Sequence, residues 1–190
     1  KDPSLLAELA YIDGQWIAAD NAATVDVVNP ANGECLARVP ALQGGETRRA
    51  VEAAERAWPA WRARPAAERA ALLERWYQAM LDNLDDLALI MTCEQGKPLH
   101  EAQGEIRYGA SFVKWFAEEA RRIDGSVIPA PAGDRQILVL KEPVGVSAIV
   151  TPWNFPNAMI ARKVGPALAV GCVAAWTGRW RGGQAVLLSA

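Results

Sequence analysis

The segment TPWNFPNAMIARKVGPALAVGC, residues 151–172, decides the fold class of this 190-residue chain. It follows the nearly all-apolar stretch VGVSAIV, residues 144–150, which is typical of a β-strand buried on both faces. The proline-rich loop TPWNFP then leads into a helix predicted over residues 156–170, and Gly171 ends it. Strand, loop and helix in this order predict the opening of a βαβ unit, in which ligands bind at the carboxyl end of the strand.

The sequence before this segment combines short β-strands with long helices. Asp13-Gly14 predicts the turn of one hairpin, and residues 24–40 predict a second pair of strands around Asn29-Pro30 and Asn32-Gly33. Pro59 is expected to stop or kink the first helix, and a break is expected near Asp82-Asn83. The predicted helices begin at residues 46, 65 and 98, with Gly96 and Asp124-Gly125 as end signals, and a further strand is predicted over residues 137–141.

Composition excludes several classes of protein. Hydrophobic residues make up 51% of the chain, charged residues 22%, and the formal net charge is −2. This is the balance of a globular protein, without a basic surface for nucleic acid or an anionic membrane. No apolar stretch has membrane-spanning length, and no secretory signal is seen. The odd, widely spaced cysteines Cys35, Cys93 and Cys172 and the single His100 predict reduced cytoplasmic thiols and no metal site.

Asn154 is the candidate for catalytic chemistry in the loop. Its carboxamide carries two N–H donors and lies between Trp153 and Phe155, in a loop that Pro152 and Pro156 bound and stiffen. An amide donor held at the carboxyl end of a strand can stabilise a developing oxyanion. The alternative is structural: Asn154 caps the following helix and Trp153 packs in the core. Local chemistry alone favours this alternative.

Several blocks, in the right order, resemble the NAD(P)-dependent aldehyde dehydrogenase superfamily. They are TPWNFP with the KVGPALAVGC run that follows it, YIDGQWI near the N-terminus, and EQGKPLHEAQGEIRYGASFVKWFAEEARRIDGSVIP, residues 94–129. The resemblance covers residues 10–172 or so, which is most of the chain. It implies an α/β fold: the N-terminal part of an aldehyde dehydrogenase, with an incomplete doubly wound, Rossmann-like nucleotide-binding domain. Residues 136–141 and an early β-hairpin would reach toward an oligomerisation region.

The resemblance also implies roles for the residues of the loop. Asn154 would donate to the oxyanion that forms when a catalytic cysteine attacks the aldehyde. Val150, Thr151, Pro152 and Trp153 would contact the nicotinamide side of the cofactor, NAD or NADP. The partner would be a small-molecule aldehyde, and the family forms homo-oligomers. No nucleic-acid or membrane partner is expected.

Two charged residues of the following helix match the family as well. Lys163 matches a lysine that supports the asparagine and helps proton transfer, although it could instead snorkel or form an ion pair. Arg162 resembles the succinate-semialdehyde dehydrogenase branch, in which an arginine holds the far carboxylate of the substrate through a bidentate contact. Alternatively, Arg162 bridges to a helix or a subunit interface. The block from residue 94 resembles the same branch, so the expected substrate is succinate semialdehyde, with glutarate semialdehyde next.

The resemblance stops after Cys172. Residues 173–190 read VAAWTGRWRGGQAVLLSA, where the family continues with a strand and a Lys-Pro motif, and Thr177 stands at the expected lysine position. No residue matches the catalytic cysteine or the glutamate base. We therefore predict a partial cofactor-binding domain over residues 1–172, an atypical tail over residues 173–190, and no activity of this chain alone. The alternatives are a non-catalytic fragment and an aldehyde dehydrogenase of other specificity.

Overall fold

A computed structural model describes residues 2–180 and 183–184, and the side chains of residues 2–176. Short 3-10 turns cover Pro3–Leu5 and Ala120–Arg122. The strands and helices of the described residues are, in chain order, β1 (Ala10–Ile12), β2 (Gln15–Ile17), β3 (Thr24–Val28), β4 (Cys35–Pro40), α1 (Gly44–Arg62), α2 (Ala66–Asp82), α3 (Leu84–Gln95), α4 (Leu99–Glu119), β5 (Ser126–Pro129), β6 (Gln136–Val139), β7 (Val146–Thr151), α5 (Pro156–Ala169), β8 (Val173–Trp180) and β9 (Gly183–Gln184).

Three antiparallel hairpins precede the parallel strands. Strand β1 pairs with β2 across Asp13-Gly14, whose φ angles of 53° and 77° are those of a type I′ turn, as the sequence predicts. The predicted pairing of β3 with β4 is also confirmed, with an irregularity between Val27 and Val28. Strand β6 starts one residue before the predicted strand and pairs with β5, which the sequence analysis did not predict.

The predicted helices are present, but α1 begins two residues before its predicted start, and α4 ends at Glu119, before the predicted end signal at Asp124-Gly125. Pro59 does not stop α1. The break falls at Asn83, between α2 and α3, and α3 ends at Gly96, whose φ of +78° is left-handed. Helix α1 instead continues through Pro59 to Arg62. Proline removes one main-chain donor, but the carbonyl of Pro59 still accepts from the N–H of Ala63, which caps the end of the helix. Tertiary contact also holds this last turn, because the Trp58 indole donates to the Gly171 carbonyl over 3.1 Å.

Helices α2, α4 and α5 form the largest core cluster, and small residues allow them to approach closely. Gly109 of α4 faces α5 so tightly that a Cβ at this position would lie 2.2 Å from Asn157 Oδ1 and 3.3 Å from Ala158 Cα. The buried side chains of the cluster are Ala70, Leu73, Met80, Ala110, Val113, Ala117, Ala120, Ala161 and Ala169. This packing fixes the start of α5 against the middle of α4. The described residues include no helix whose length and hydrophobicity would suit a bilayer crossing.

Helix α5 connects the parallel strands β7 and β8, so the predicted βαβ opening is confirmed. The prediction that residues 144–150 are buried on both faces is wrong. Ile149 is 4% exposed, but Val150 is 69% exposed and Val144 is exposed as well. Among the described elements, α1 and α5 pack against β7, and they leave the side chain of Val150 uncovered.

Strand β8 corrects the expectation that no strand follows Cys172. Residues 146–151 of β7 pair in register with residues 173–178 of β8. Val173, Ala174 and Ala175 are buried, because small apolar side chains fit beside β7 and beneath α5. Strand β9 then pairs with the end of β8. The remainder of the predicted tail, residues 181–182 and 185–190, lies outside the described residues.

The Glu46 side chain, at the start of α1, forms hydrogen bonds with the main chain that precedes the helix. These bonds predict that stability depends on pH. Its buried carboxylate accepts from the Asp20 N–H over 2.8 Å and from the Gln43 N–H over 3.0 Å. These main-chain hydrogen bonds, that from Asp20 foremost, lower the pKa of Glu46 from 4.5. As the pH falls below 4.5, the unfolded chain binds the proton first, so the contribution of Glu46 to stability is lost.

We therefore expect Glu46→Gln to lower the free energy of unfolding at neutral pH, and the deficit to shrink as the pH falls. Urea unfolding from about pH 7 to about pH 3.5 measures this difference between variant and wild type. Glu52→Gln, at an exposed position of the same helix, is the matched control and should show no such trend. A deficit that stays constant across this range would contradict the assignment.

Candidate active site

The loop of residues 152–155 lies between β7 and α5, at the carboxyl end of the parallel pair β7–β8. This is the edge of an α/β sheet at which ligands bind, because the strand-to-helix turns leave a crevice there. Helix α5 begins at Pro156, whose missing N–H suits the first turn of a helix. The sequence therefore places Asn154 at the correct edge of the sheet.

The Asn154 carboxamide is exposed and is not a helix cap. The capping position of α5 is Phe155, and no side chain at that position caps the helix. Within the part of the chain that the structure describes, no hydrogen bond of the Asn154 side chain is found. Trp153 is 51% exposed, so it does not pack in the core. The structural alternative for these two residues is wrong, and the amide donors of Asn154 are available to a ligand.

The main chain of the loop is held by two side chains, one from the last residue of α3 and one from just beyond it. Gln95 Nε2 donates to the carbonyls of Trp153 and Asn154, over 3.1 and 3.3 Å, and Lys97 Nζ donates to the Asn154 carbonyl over 3.1 Å. The Lys97 ammonium also lies 4.3 Å from the centroid of the Phe155 ring. Asn154 is thus anchored through its backbone while its side chain stays free. Neither Gln95 nor Lys97 was assigned a role from the sequence.

Glu105 of α4 is the second group that sequence reasoning missed. Its carboxylate is buried: Oε1 accepts from the N–H groups of Asn157 and Ala158 in the first turn of α5, and Oε2 forms an ion pair with Lys97. A negative charge is favourable at a helix N-terminus, where main-chain N–H groups lack partners within the helix. The signal that could have revealed Glu105 is its position beside Ile106 on the apolar face of α4.

The four predicted cofactor residues differ in what they expose. Val150, Pro152 and Trp153 are exposed and form an apolar surface at the end of β7, which suits the face of a nicotinamide ring. Thr151 is buried, and its Oγ1 accepts from the Trp176 indole of β8 over 3.0 Å. Its hydroxyl therefore joins the two parallel strands, and only the other three side chains can meet a cofactor.

Arg162 and Lys163 lie in the second turn of α5. Arg162 follows Phe155 by nearly two whole turns, so it lies about 10 Å further along the helix axis. Its side chain is exposed, and its guanidinium carbon lies 5.3 Å from the centroid of the Phe112 ring on α4. Among the described residues no carboxylate forms an ion pair with Arg162, so its charge is available to an anion. Lys163 is half-buried.

Other titratable groups of the described residues do not assemble into a second centre. Cys93 is half-buried, Cys172 is buried and Cys35 is exposed. Burial raises the pKa of the Glu94 carboxyl, which immediately precedes Gln95. No group of three or more His, Cys, Asp or Glu side chains that could hold a metal ion is found within this part of the chain.

Comparison with known proteins finds one matching family and close relatives in sequence. The family model described as "Aldehyde dehydrogenase family" matches residues 16–178. The chain is 58% identical over 172 residues to the glutarate-semialdehyde dehydrogenase of Pseudomonas putida, and 55% identical over 171 residues to the NADP(+) succinate-semialdehyde dehydrogenase of Escherichia coli. Each match covers 90% of this chain and 36% of the relative. The chain therefore spans about a third of the length of the curated relatives it matches.

The similarity to known proteins extends to three-dimensional structure. The crystal structure of succinate-semialdehyde dehydrogenase from Burkholderia pseudomallei matches with a TM-score of 0.92 at 58% identity. The match covers 94% of this chain and 37% of that structure. The expected α/β class, as a part of this fold, is confirmed.

Proposed function

The chain belongs to the aldehyde dehydrogenase family, and on this premise we propose that its exposed loop forms the oxyanion-stabilising part of a site that oxidises an aldehyde with NAD or NADP. The observation that carries the proposal is that Asn154 has a held main chain and an exposed side chain. Its carbonyl is anchored by Gln95 and Lys97, while its carboxamide is exposed at the carboxyl end of β7.

Asn154 suits this role because its donors are positioned before the substrate arrives. When a nucleophile attacks an aldehyde carbon, negative charge develops on the aldehyde oxygen. A donor that is already in place stabilises this charge without reorganisation during the reaction. The anchored carbonyls reduce the freedom of the loop, and Pro152 and Pro156 restrict its φ angles. Lys163, as the proposed supporting residue, would act on the same group.

The cofactor would lie against the apolar surface at the end of β7. Val150, Pro152 and Trp153 offer exposed side chains there, whereas Thr151 contributes through its main chain because its hydroxyl is already bonded. When bound, a nicotinamide cofactor accepts the hydride of the aldehyde carbon. The E. coli relative is named for NADP(+), which supports NAD or NADP for this site.

For the substrate we propose an aldehyde that carries a second, anionic group. The relatives are named for glutarate semialdehyde and succinate semialdehyde, and both molecules carry a carboxylate at the end opposite the aldehyde. Arg162 supplies the matching charge. Its guanidinium lies over the Phe112 ring, and this contact leaves its N–H groups free to form a bidentate contact with a carboxylate. Succinate semialdehyde remains the preferred substrate, with glutarate semialdehyde next.

We also propose that this chain alone does not turn over its substrate. No residue of the sequence matches the family's nucleophilic cysteine or its glutamate base, and Cys93 and Cys172 are not exposed. The proposed division keeps residues 1–172 as a partial cofactor-binding domain and residues 173–190 as an atypical tail. A reducing compartment such as the cytoplasm is proposed from the three unpaired cysteines.

Cofactor titration of the purified chain tests the proposed function. We expect NAD⁺ or NADP⁺ to quench part of the tryptophan fluorescence, and Trp153→Phe to remove that part of the signal, because Trp153 borders the proposed nicotinamide position. Trp16→Phe is the matched control, since Trp16 and Trp153 are both 51% exposed and Trp16 lies in the distant strand β2. A response that persists in Trp153→Phe, or no saturable response in the wild type, would favour the non-catalytic alternative.

A steady-state assay of the same preparation checks the second part of the proposal. We expect no reduction of NAD⁺ or NADP⁺ by succinate semialdehyde above the rate without protein, because hydride transfer from the aldehyde requires prior attack by a nucleophile. The E. coli relative, assayed in parallel, is the positive control. Measurable turnover that disappears with the protein would contradict the prediction.

A further inference from the structure

We infer that Glu105 is a positioning residue for Asn154. It acts through two contacts, one with the first turn of α5 and one, by way of Lys97, with the Asn154 carbonyl. The inference rests on the proposed function, since it treats Asn154 as the donor to the substrate oxygen. One carboxylate oxygen of Glu105 fixes the start of α5, and the other fixes Lys97, which holds the Asn154 carbonyl.

The hydrogen bonds at the start of α5 show why this helix needs Glu105. The first helical residue, Pro156, has no N–H, and the N–H of Met159 bonds to the Phe155 carbonyl. The N–H groups of Asn157 and Ala158 remain, and both donate to Glu105 Oε1, over 2.9 and 3.2 Å. These are the donors that a side chain at the capping position ordinarily satisfies.

Glu105 therefore replaces the local cap, and this replacement leaves Asn154 free. Asn is among the residues preferred at a helix cap, and a capping Asn154 would turn its carboxamide toward the helix. Because a carboxylate from α4 already accepts from the first turn, the loop can present the carboxamide to the sheet edge instead. The geometry links a buried charge on α4 to the orientation of the Asn154 amide in the loop that precedes α5.

Lys97 provides the second contact, which joins Glu105 to the Asn154 carbonyl. Its side chain is only 12% exposed and that of Glu105 only 1%, so each requires the other as a partner for its charge. The same ammonium donates to the Asn154 carbonyl and lies over the Phe155 ring. The pair thus holds the residues on both sides of the Asn154–Phe155 peptide bond.

Close packing leaves little room for another arrangement. Gly109 lies one turn after Glu105 on α4, and the space that a side chain would occupy there is taken by Asn157. The main chain of α5 therefore passes directly over α4 where the Glu105 carboxylate reaches it. A change of charge at residue 105 cannot be relieved by moving the helix closer, so the loop must respond.

Nuclear magnetic resonance of the full 190-residue chain tests the inference. We compare wild type with Glu105→Gln and Lys97→Met, and follow the main-chain amide exchange of Asn157 and Ala158 together with the side-chain amide resonances of Asn154. Glu74→Gln is the matched control, because Glu74 of α2 pairs with Lys114 over 2.7 Å, and Lys114 lies on the same helix as Glu105, more than two turns further along. Asn21 and Asn83 provide internal reference signals.

In Glu105→Gln we expect the Asn157 and Ala158 amides to exchange about 10-fold faster or more, since two hydrogen bonds to a charged acceptor are weakened. The Asn154 side-chain resonances should change in both Glu105→Gln and Lys97→Met, because the main chain that orients the carboxamide is then held less firmly. Glu74→Gln should change neither readout. Should Glu105→Gln not fold, Lys97→Met decides the matter through the Asn154 resonances.

Asn154 resonances that stay unchanged in a folded variant overturn the inference, as does an equal response in Glu74→Gln. These readouts require neither cofactor nor turnover. If they change as expected while wild type shows no response to NAD⁺ or NADP⁺, the proposed function fails and the positioning contact remains. If wild type binds cofactor and the resonances do not change, only the positioning role fails.

Discussion

Asn154→Ala lowers the turnover number for succinate semialdehyde about 100- to 1,000-fold, with little change in KM, when this segment is part of an active enzyme. The enzyme for this experiment is a chimera in which the matched segment of this chain replaces its counterpart in the Escherichia coli succinate-semialdehyde dehydrogenase, and the chimera without further changes is the reference. The magnitude is that of losing one preorganised donor to an oxyanion. KM should change little because the donor interacts with charge that develops only in the transition state.

Two variants control this prediction. Asn154→Asp keeps the size of the side chain but replaces the amide donors with a carboxylate that repels negative charge, so its loss of activity should be at least as large. Asn32→Ala, at an exposed position in the connection between β3 and β4, should leave turnover unchanged. A decrease in kcat of less than about 10-fold in Asn154→Ala would show that the loop does not supply an essential oxyanion donor.

Arg162→Ala in the same chimera lowers kcat/KM for succinate semialdehyde about 10- to 100-fold and leaves that for butanal nearly unchanged. Butanal has the same chain length without the carboxylate. The expected loss is that of a hydrogen-bonded contact between two charged groups, so it should appear only with the charged aldehyde. Arg162→Lys should give an intermediate loss, because an ammonium keeps the charge without the bidentate geometry.

The contact of Arg162 with Phe112 offers the competing explanation, in which the arginine only supports the packing of α5 on α4. Phe112→Leu removes the ring and keeps the guanidinium, so it should change the rates for both aldehydes by similar, small factors. Equal losses for succinate semialdehyde and butanal in Arg162→Ala would assign the arginine to helix packing. The substrate carboxylate would then need another partner.

Much of the fold could be predicted because the relevant signals are local. The residue pair Asp13-Gly14 predicts a tight hairpin turn, and both residues do adopt positive φ angles. Gly96 likewise ends α3 in the left-handed region. The strand–loop–helix order around residues 146–169 follows from an apolar run, two prolines and an apolar helix. Pro59 shows the limit of such signals, because contacts of Trp58 with a segment far along the chain stabilise the turn that proline weakens.

The site was predicted only in part, for a physical reason that Glu105 illustrates. Its neighbours in sequence give no indication that its carboxylate accepts from α5, because the donors are more than fifty residues away. Nor could the sequence show that Lys97 donates to the Asn154 carbonyl or that the Trp176 indole donates to the Thr151 hydroxyl. Partners of buried polar groups are chosen by the packing of helices and strands, which a local pattern does not contain.

By itself, the sequence determined the order of the elements other than β5, β8 and β9, the edge of the sheet where the loop lies, and the family, because periodicity, turn residues and motifs are properties of short segments. Only the tertiary structure decided whether the Asn154 carboxamide caps α5 or is exposed at the edge of the sheet. That choice depends on which group satisfies the first N–H donors of the helix, and the group is Glu105 of α4. The exposed state of Val150 was decided in the same way, by which elements pack against β7.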